Sequence, residues 1–320
     1  MSDTKRLPRS LRFGGTPLYH RRPTGEHPQP DGVRRVNERC VELETYANFT
    51  QSGAARHIGL GVVVAIAGVI LMLAILNEEN SNLESYLSII MAAPALPAIT
   101  TLIYFASGSH RTRGAYVRIN RRTQKLYYVF PRDKRLHVID WAHVDALAGY
   151  IPIFSGTINT SRHPLYLLGV DLAMTPPTEI CVACGNLGVA VGDRSAKALW
   201  AYLQAFMTHG PEGLPEPAPL PPRLSRKGEA LQPYRDWYAG LRRRLAKPHG
   251  MLKAPITIPL WLGWLLINAI PDSVEAFVQY NVPYAQFPKE IDELCGFDEQ
   301  GAAVGRVTGT HNKPCSGQKR

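Results

Sequence analysis

The chain has 320 residues, a formal net charge of +10 and five cysteines. That length holds one or two domains with a real core. An odd cysteine count without regular spacing argues against a disulfide scaffold, and the basic balance suits either an anionic lipid surface or a nucleic acid.

Residues 1–55 read as a flexible basic N-terminal arm. The first forty are rich in Pro, Gly and Arg, as in RRPTGEHPQPDG, and show no apolar period. Aromatic residues interleave these arginines too sparsely for a nucleic-acid surface. A solvated, lipid-facing arm is therefore expected, and nucleic acid is not expected as a partner. The polar stretch ahead of the first apolar run argues against a secretory signal.

Residues 56–106 read as a two-helix transmembrane hairpin. IGLGVVVAIAGVILMLAIL, 58 to 76, is apolar or glycine throughout and covers roughly 28 Å as a helix, close to the hydrocarbon thickness. YLSIIMAAPALPAITTLIYFA, 86 to 106, is also uncharged. Pro94 and Pro97 should kink it, and Tyr86 and Tyr104 lie near its ends, where aromatic rings favour the interface. Gly59, Gly61 and Gly68 suit close helix packing. Between the runs, NEENSNLES carries Glu78, Glu79 and Glu84 and no cation. Arg34, Arg35, Arg39 and Arg56 precede the first apolar run. Arg111, Arg113, Arg118, Arg121, Arg122 and Lys125 follow the second. Cationic flanks resist translocation, so both ends should stay in the cytoplasm and the acidic turn should be exported. The expected location is the bacterial inner membrane, multi-pass, with the N-terminus and residues 111–250 cytoplasmic.

From 111 to 210 the pattern changes to period two. AYVRIN, KLYYVF and RLHVIDW alternate apolar and polar positions between the polar turns RRTQ and PRDK. Val117 and Ile119 mark an apolar face, Arg118 and Asn120 a polar one. PLYLLGVDL (164–172), TEICVAC (178–184) and LGVAV (187–191) are further strand candidates. A helix then runs from an Asp193 N-cap to about His209, with Leu199, Trp200, Leu203, Phe206 and Met207 on one face and Gly210-Pro211 as its stop. Antiparallel strands followed by one amphipathic helix is the order of a PH-like (pleckstrin-homology-like) domain. The fold class is thus an α+β membrane protein: a hairpin, a PH-like antiparallel β domain with a C-terminal helix, then a further membrane-associated segment.

Residues 211–232 are a proline-dense linker. A basic amphipathic helix is expected over 233–253, beginning near Pro233. Tyr234, Tyr238, Leu241 and Leu245 form its stripe, and Arg242, Arg243, Arg244 and Lys247 cluster near its end. That composition fits a helix on an anionic membrane and equally one packed on the sheet domain. Residues 254–270, APITIPLWLGWLLINAI, form a third apolar run broken by Pro259. Its length leaves a short span, a re-entrant segment and an interfacial helix open; Trp261 and Trp264 favour the interface. Residues 271–320 read as a polar tail.

Two segments, LWAYLQAFMTHGPEGLP (199–215) and FPKEIDELCGF (287–297), resemble recurring segments of an uncharacterised bacterial inner-membrane protein family. Its members pair an N-terminal membrane hairpin with a sheet domain of this kind and are often encoded near type VI secretion genes. The resemblance brings no catalytic residues. It implies an immunity or accessory role beside secreted toxins.

Few residues suggest chemistry. Cys181 and Cys184 form a lone C-x-x-C on a strand, where that spacing sends the two thiols to opposite faces. Cys295 and Cys315 would matter for oxidation only in an exported tail. His143 stands between Asp140 and Asp145 without metal spacing. No catalytic, metal or cofactor residues, no cofactor and no small-molecule substrate are assigned. The residues expected to meet lipid headgroups are Arg111, Arg113, Arg242, Arg243, Arg244 and Lys247. The expected function is non-enzymatic: binding of a protein partner, such as a secreted effector, by the cytoplasmic domain. The alternatives are a lipid-sensing regulatory module and a membrane thiol enzyme using Cys181 and Cys184.

Overall fold

The computed structural model describes residues 15–75, 83–111, 113–130, 134–155, 158–185, 192–220 and 222–297. The chain divides into two compact units, and it passes between them four times. The first unit takes residues 1–49, 114–222 and 284–320; the second takes 50–113 and 223–283.

The first unit is built on two antiparallel sheets. One has five strands in the order β2 (Val33–Val36), β3 (Cys40–Glu44), β4 (Tyr116–Asn120), β5 (Lys125–Val129), β6 (Leu136–Asp140). The other has four, β1 (Gly15–Leu18), β7 (Asp145–Gly149), β10 (Leu165–Asp171) and β11 (Thr178–Cys184). β8 (Ile151–Ser155) and β9 (Ile158–Arg162) form a separate hairpin. Residues 15–44 therefore contribute three sheet strands, Gly15–Leu18, Val33–Val36 and Cys40–Glu44, to the sheet unit, where a flexible arm was expected. β3 is the central partner of β4, with Glu44 opposite Tyr116, and Thr45 Oγ1 donates to the Ala115 carbonyl at 2.6 Å. The long stretch between β3 and β4 thus leaves and re-enters this unit at neighbouring strands.

The core follows from the expected patterns. Helix α4 (Arg194–His209) buries Leu199, Trp200, Leu203, Phe206 and Met207, and Tyr202 with them. His20 packs edge-on against both Trp141 and Trp200. Asp193 stands at the N-cap, but its carboxylate accepts from Lys197 (2.7 Å) and Thr16 (3.3 Å) rather than from the helix backbone. Gly210, at φ +90°, ends the helix in a conformation that disfavours a side chain. β10 and β11 lie where the alternation places them; the 187–191 strand candidate lies outside the described residues.

One face of β4 departs from its pattern. Arg118 and Asn120, the expected polar face, are as buried as Val117 and Ile119. Residues 284–297, including α8 (Lys289–Cys295), cover them, so this part of the expected polar tail is core. Phe287, Cys295 and Phe297 are buried there.

The second unit is helical. α1 spans Tyr46–Ile75 and belongs to this unit from Thr50 on. The second apolar run is broken, not kinked. α2 (Leu83–Ala92) stops before Pro94, and α3 (Ala95–Ala106) starts after it. Proline has no N–H to continue the ladder and restricts the residue before it. Most of the acidic turn, 76–82, lies outside the described residues. Gly59 packs on Pro271 and Val274, Gly61 on Thr100; Gly68 faces open space and joins no helix contact.

The later helices of this unit are α5 (Arg226–Leu245), α6 (Ala254–Trp264) and α7 (Ile270–Gln279), the last two joined by a π-helical turn, Leu265–Ala269. α5 begins well before Pro233. Ser225 is the N-cap and accepts from Gly228 N (3.2 Å), while the Glu229 carboxylate reaches back to Leu224 N (2.9 Å). Two helices are long and apolar enough to cross a membrane, within Gly53–Ala74 and Ala254–Gln279.

Candidate membrane interface

The cap at Ser225 sets the frame of α5, and that frame puts Arg242, Arg243 and Arg244 in its last turn. Cations there complement the carbonyl end of the helix. All three are exposed, as is Lys247 beyond them. Arg243 Nε donates to the Ala239 carbonyl (3.3 Å), and the Arg244 guanidinium lies 4.6 Å over the Trp261 ring. These four cations share one end of the helix. Arg111 and Arg113 lie elsewhere in the unit, in the connection that leaves α3. Arg111 is exposed. Arg113 is engaged internally: its Nε donates to the buried Gln279 (3.1 Å) and its backbone N–H to Pro283 O (2.7 Å).

α5 pairs antiparallel with the helix formed by α6, the π turn and α7. At one end Arg226 Nε donates to Phe277 O (3.1 Å) and its guanidinium covers the Phe277 ring at 3.9 Å. The Tyr280 hydroxyl donates to Leu224 O (3.0 Å). Further along, Trp237 Nε1 donates to Trp261 O (2.7 Å) and Trp261 Nε1 to Trp237 O (2.9 Å). Gly240 leaves room for the Trp261 indole, whose carbon would sit 2.8 Å from an added Cβ. This reciprocal pair of indoles was not legible in the sequence, because it joins positions on two different helices.

The other side of α6 and the π turn is bare. Ile256 and Leu260 are each 70% exposed and Ile267 60%. Near the foot of α1, Arg56 pairs with Asp272 (3.0 Å), and its Nη2 donates to Asn268 Oδ1 and to Ile267 O (3.3 Å). Pro271 offers no N–H to that turn, so the arginine supplies a donor where the π turn loosens the ladder. Along the outer part of α1, Val64, Ile66, Ile70 and Leu71 are exposed. Large exposed apolar surface is the kind of feature that accompanies contact with a membrane or a partner.

In the sheet unit the strongest polar feature is structural. Glu42, with no exposed side-chain surface, accepts from Arg34 (3.0 Å), from Arg35 through both oxygens (2.9 and 2.8 Å) and from Arg118 (2.9 Å). Burial pushes its carboxyl up, but the Arg35 hydrogen bonds and the charges of Arg35, Arg34 and Arg118 outweigh that and hold it below its ordinary value. Arg118 also pairs with Asp292 and lies over Phe287 (4.0 Å) and Phe297 (5.1 Å). Asn37 Nδ2 donates to Cys295 O (2.9 Å), and Asn120 Nδ2 to Leu294 O (3.0 Å). Arginines that read as membrane flanks in the sequence thus clamp the return segment to the sheet.

The residues that suggested chemistry are dispersed. Cys181 and Cys184 occupy opposite faces of β11, Cys184 in the main core and Cys181 against Leu147 and Tyr166. Burial pushes the Cys181 thiol up to about 11 and that of Cys184 higher, the reverse of what a nucleophile needs. Cys295 lies in the sheet unit, held below its ordinary value by a hydrogen bond with Cys40; Cys315 lies outside the described residues. His143 and Asp140 are exposed and 3.9 Å apart. A buried contact unforeseen in the sequence, His137 Nδ1 to Asp171 Oδ2 (3.1 Å), ties β6 to β10. No group of three or more metal-binding side chains occurs among the described residues.

These features define an α+β protein that joins, in one chain, a double-sheet unit and an apolar helical unit with a basic helix end. The chain belongs to a family of unknown function, DUF6708, whose model matches residues 95–298. The match ends one residue beyond Phe297, so the return segment lies within it. No curated protein and no solved structure matches the chain.

Proposed function

We propose that this is a multi-pass bacterial inner-membrane protein without catalytic activity, whose cytoplasmic, PH-like sheet unit binds a protein partner. The observation that carries the reading is the interleaving of the units. One sheet unit is assembled from three chain segments, separated by two apolar excursions. A soluble unit laced to the bilayer in this way is held at its surface, where a modest intrinsic affinity for a partner acts as a much larger one. The sequence resemblance to proteins encoded near type VI secretion genes points to a secreted antibacterial effector as the partner, and to an immunity or accessory role. Co-expression with the neighbouring toxin genes tests it. Deletion should cause self-intoxication or alter secretion; a deletion that changes neither refutes the proposal.

A lipid-sensing role is the second reading, favoured by the exposed cluster Arg242, Arg243, Arg244 and Lys247. Both readings need the membrane.

A further inference from the structure

We infer that the α5–α6–α7 hairpin does not cross the bilayer, but lies along its cytoplasmic surface with the bare side of α6 and the π turn in an anionic leaflet. This rests on the membrane reading above and deepens it. By length alone the opposite holds. The continuous helix of 26 residues, Ala254–Gln279, is about 39 Å long and could span the hydrocarbon.

Three observations decide against a crossing. The first is parity. The chain leaves the sheet unit after Pro222 and rejoins it at Tyr284, and residues 285–297 are part of its core. One crossing by α6–α7 would therefore demand a second by α5. That helix carries Arg226, Glu229, Arg235, Asp236 and the three terminal arginines, and charges in such number are costly and rare in a membrane helix. The second is pairing. Arg226 is fixed at Phe277 and Trp237 at Trp261, so the charges of α5 sit at the same depth as α6–α7 along that whole length. The third is the tip. Residues 246–253, AKPHGMLK, carry Lys247 and Lys253, and short cationic loops are retained on the cytoplasmic side.

What remains is a two-helix element with one bare apolar side and a basic end. Ile256, Leu260 and Ile267 form the bare side, and Met251 and Leu252 extend it at 74% and 79% exposure. Such a composition inserts shallowly among acyl chains while its cations meet headgroups. Anionic lipid is the occupant that fits, because Arg242, Arg243, Lys247 and Lys253 are all exposed at the end of the hairpin from which α6 starts. The element is also tied to the proposed span, since Arg56 at the foot of α1 holds Asp272 and Asn268.

The test places an environment-sensitive NBD label at Ile256→Cys or Ile267→Cys, both on the bare side, in the full chain carrying Cys181→Ser and Cys315→Ser. The protein is reconstituted in phosphatidylcholine vesicles with and without phosphatidylglycerol, and depth is read by spin-labelled lipids. The two labels should report one shallow depth and move deeper with phosphatidylglycerol. R242Q/R243Q/K247Q should abolish that movement. Labels at depths differing by roughly 16 Å, the axial distance between the two positions, would overturn the inference, as would labels that stay in water. Equal shallow depths indifferent to phosphatidylglycerol would overturn the anionic part. A reporter fused after residue 82 tests the underlying reading separately. A cytoplasmic signal there sinks the hairpin whatever the labels show; an exported signal with unequal depths sinks only this inference.

Discussion

Truncating Phe287 or Phe297 to alanine tests the return segment, on which the topology depends. Both rings are nine-tenths buried, at 8% and 9% exposure. A buried phenylalanine replaced by alanine costs about 3–5 kcal/mol. Each ring also lies against the Arg118 guanidinium, at 4.0 and 5.1 Å, a contact that adds about 0.5–2 kcal/mol when desolvated. Domains have a total stability of only about 5–15 kcal/mol, so one truncation removes a large share and both together leave the segment undocked. For a unit of this size, each kcal/mol lowers the melting temperature by about 2–4 °C. Each single variant should therefore melt at least 6 °C below the parent, roughly, when the full chain is heated in mild detergent. The double variant should become cleavable by protease within 284–297. If either single variant melts within about 2 °C of the parent, the segment is not part of the core, and the parity argument loses its foundation.

Two further outcomes follow from the same contacts. The Glu42 carboxyl is held below its ordinary value of 4.5 by its arginines, so it binds protons more weakly folded than unfolded. Its contribution is fully present above about pH 4.5 and is lost as the pH falls through the folded value. Melting temperature measured between pH 7 and pH 3 should fall steeply at the acid end, and E42Q should flatten that fall while costing about 3–5 kcal/mol at neutral pH, because buried arginines lose their counter-charge. In the helical unit, a Cβ on Gly59 would meet Pro271 Cα at 2.7 Å, whereas one on Gly68 meets nothing. Gly59→Val should destabilise the detergent-solubilised chain by about 1–3 kcal/mol and Gly68→Val by far less; equal melting of the two would refute the α1–α7 contact.

What the sequence conveyed depended on whether the deciding interaction was local. The α1 run and the Trp200 face of α4 follow from composition and period, and both stand. The start of α5 is not where Pro233 suggests, because that residue resembles a first-turn proline while the cap is the less conspicuous Ser225. The break at Pro94 was underestimated for the same kind of reason: one proline decides between a kink and two helices. The N-terminal strands and the return segment were hidden by distance. Arg34, Arg35, Glu42, Arg118 and Asp292 each look like solvated surface, and only their meeting in one buried cluster gives them a structural role. Of the residues expected to meet headgroups, the α5 cluster lies exposed at one helix end, whereas Arg113 is held by Gln279, a partner far along the chain.

On the membrane reading proposed above, the same contacts bear on how the second apolar excursion would meet a bilayer. If α6–α7 crossed alone, residues 284–297 would be exported and torn from the sheet, losing two buried phenylalanines at about 3–5 kcal/mol each and leaving Arg118 without Asp292. If α5 crossed with it, Arg235 and Asp236 would enter the hydrocarbon, and each charge there costs about 2.5–3.5 kcal/mol on insertion scales. The terminal arginines, Arg242 to Arg244, would then have to be translocated, against the retention of cations on the cytoplasmic side. Lying flat incurs neither penalty. The bare side chains of α6 still leave water, at roughly 1.5–3 kcal/mol for each large one fully buried, and the cations keep their headgroups. The proposed horizontal arrangement therefore avoids both penalties, because the clamp on Arg118 fixes where the chain must return.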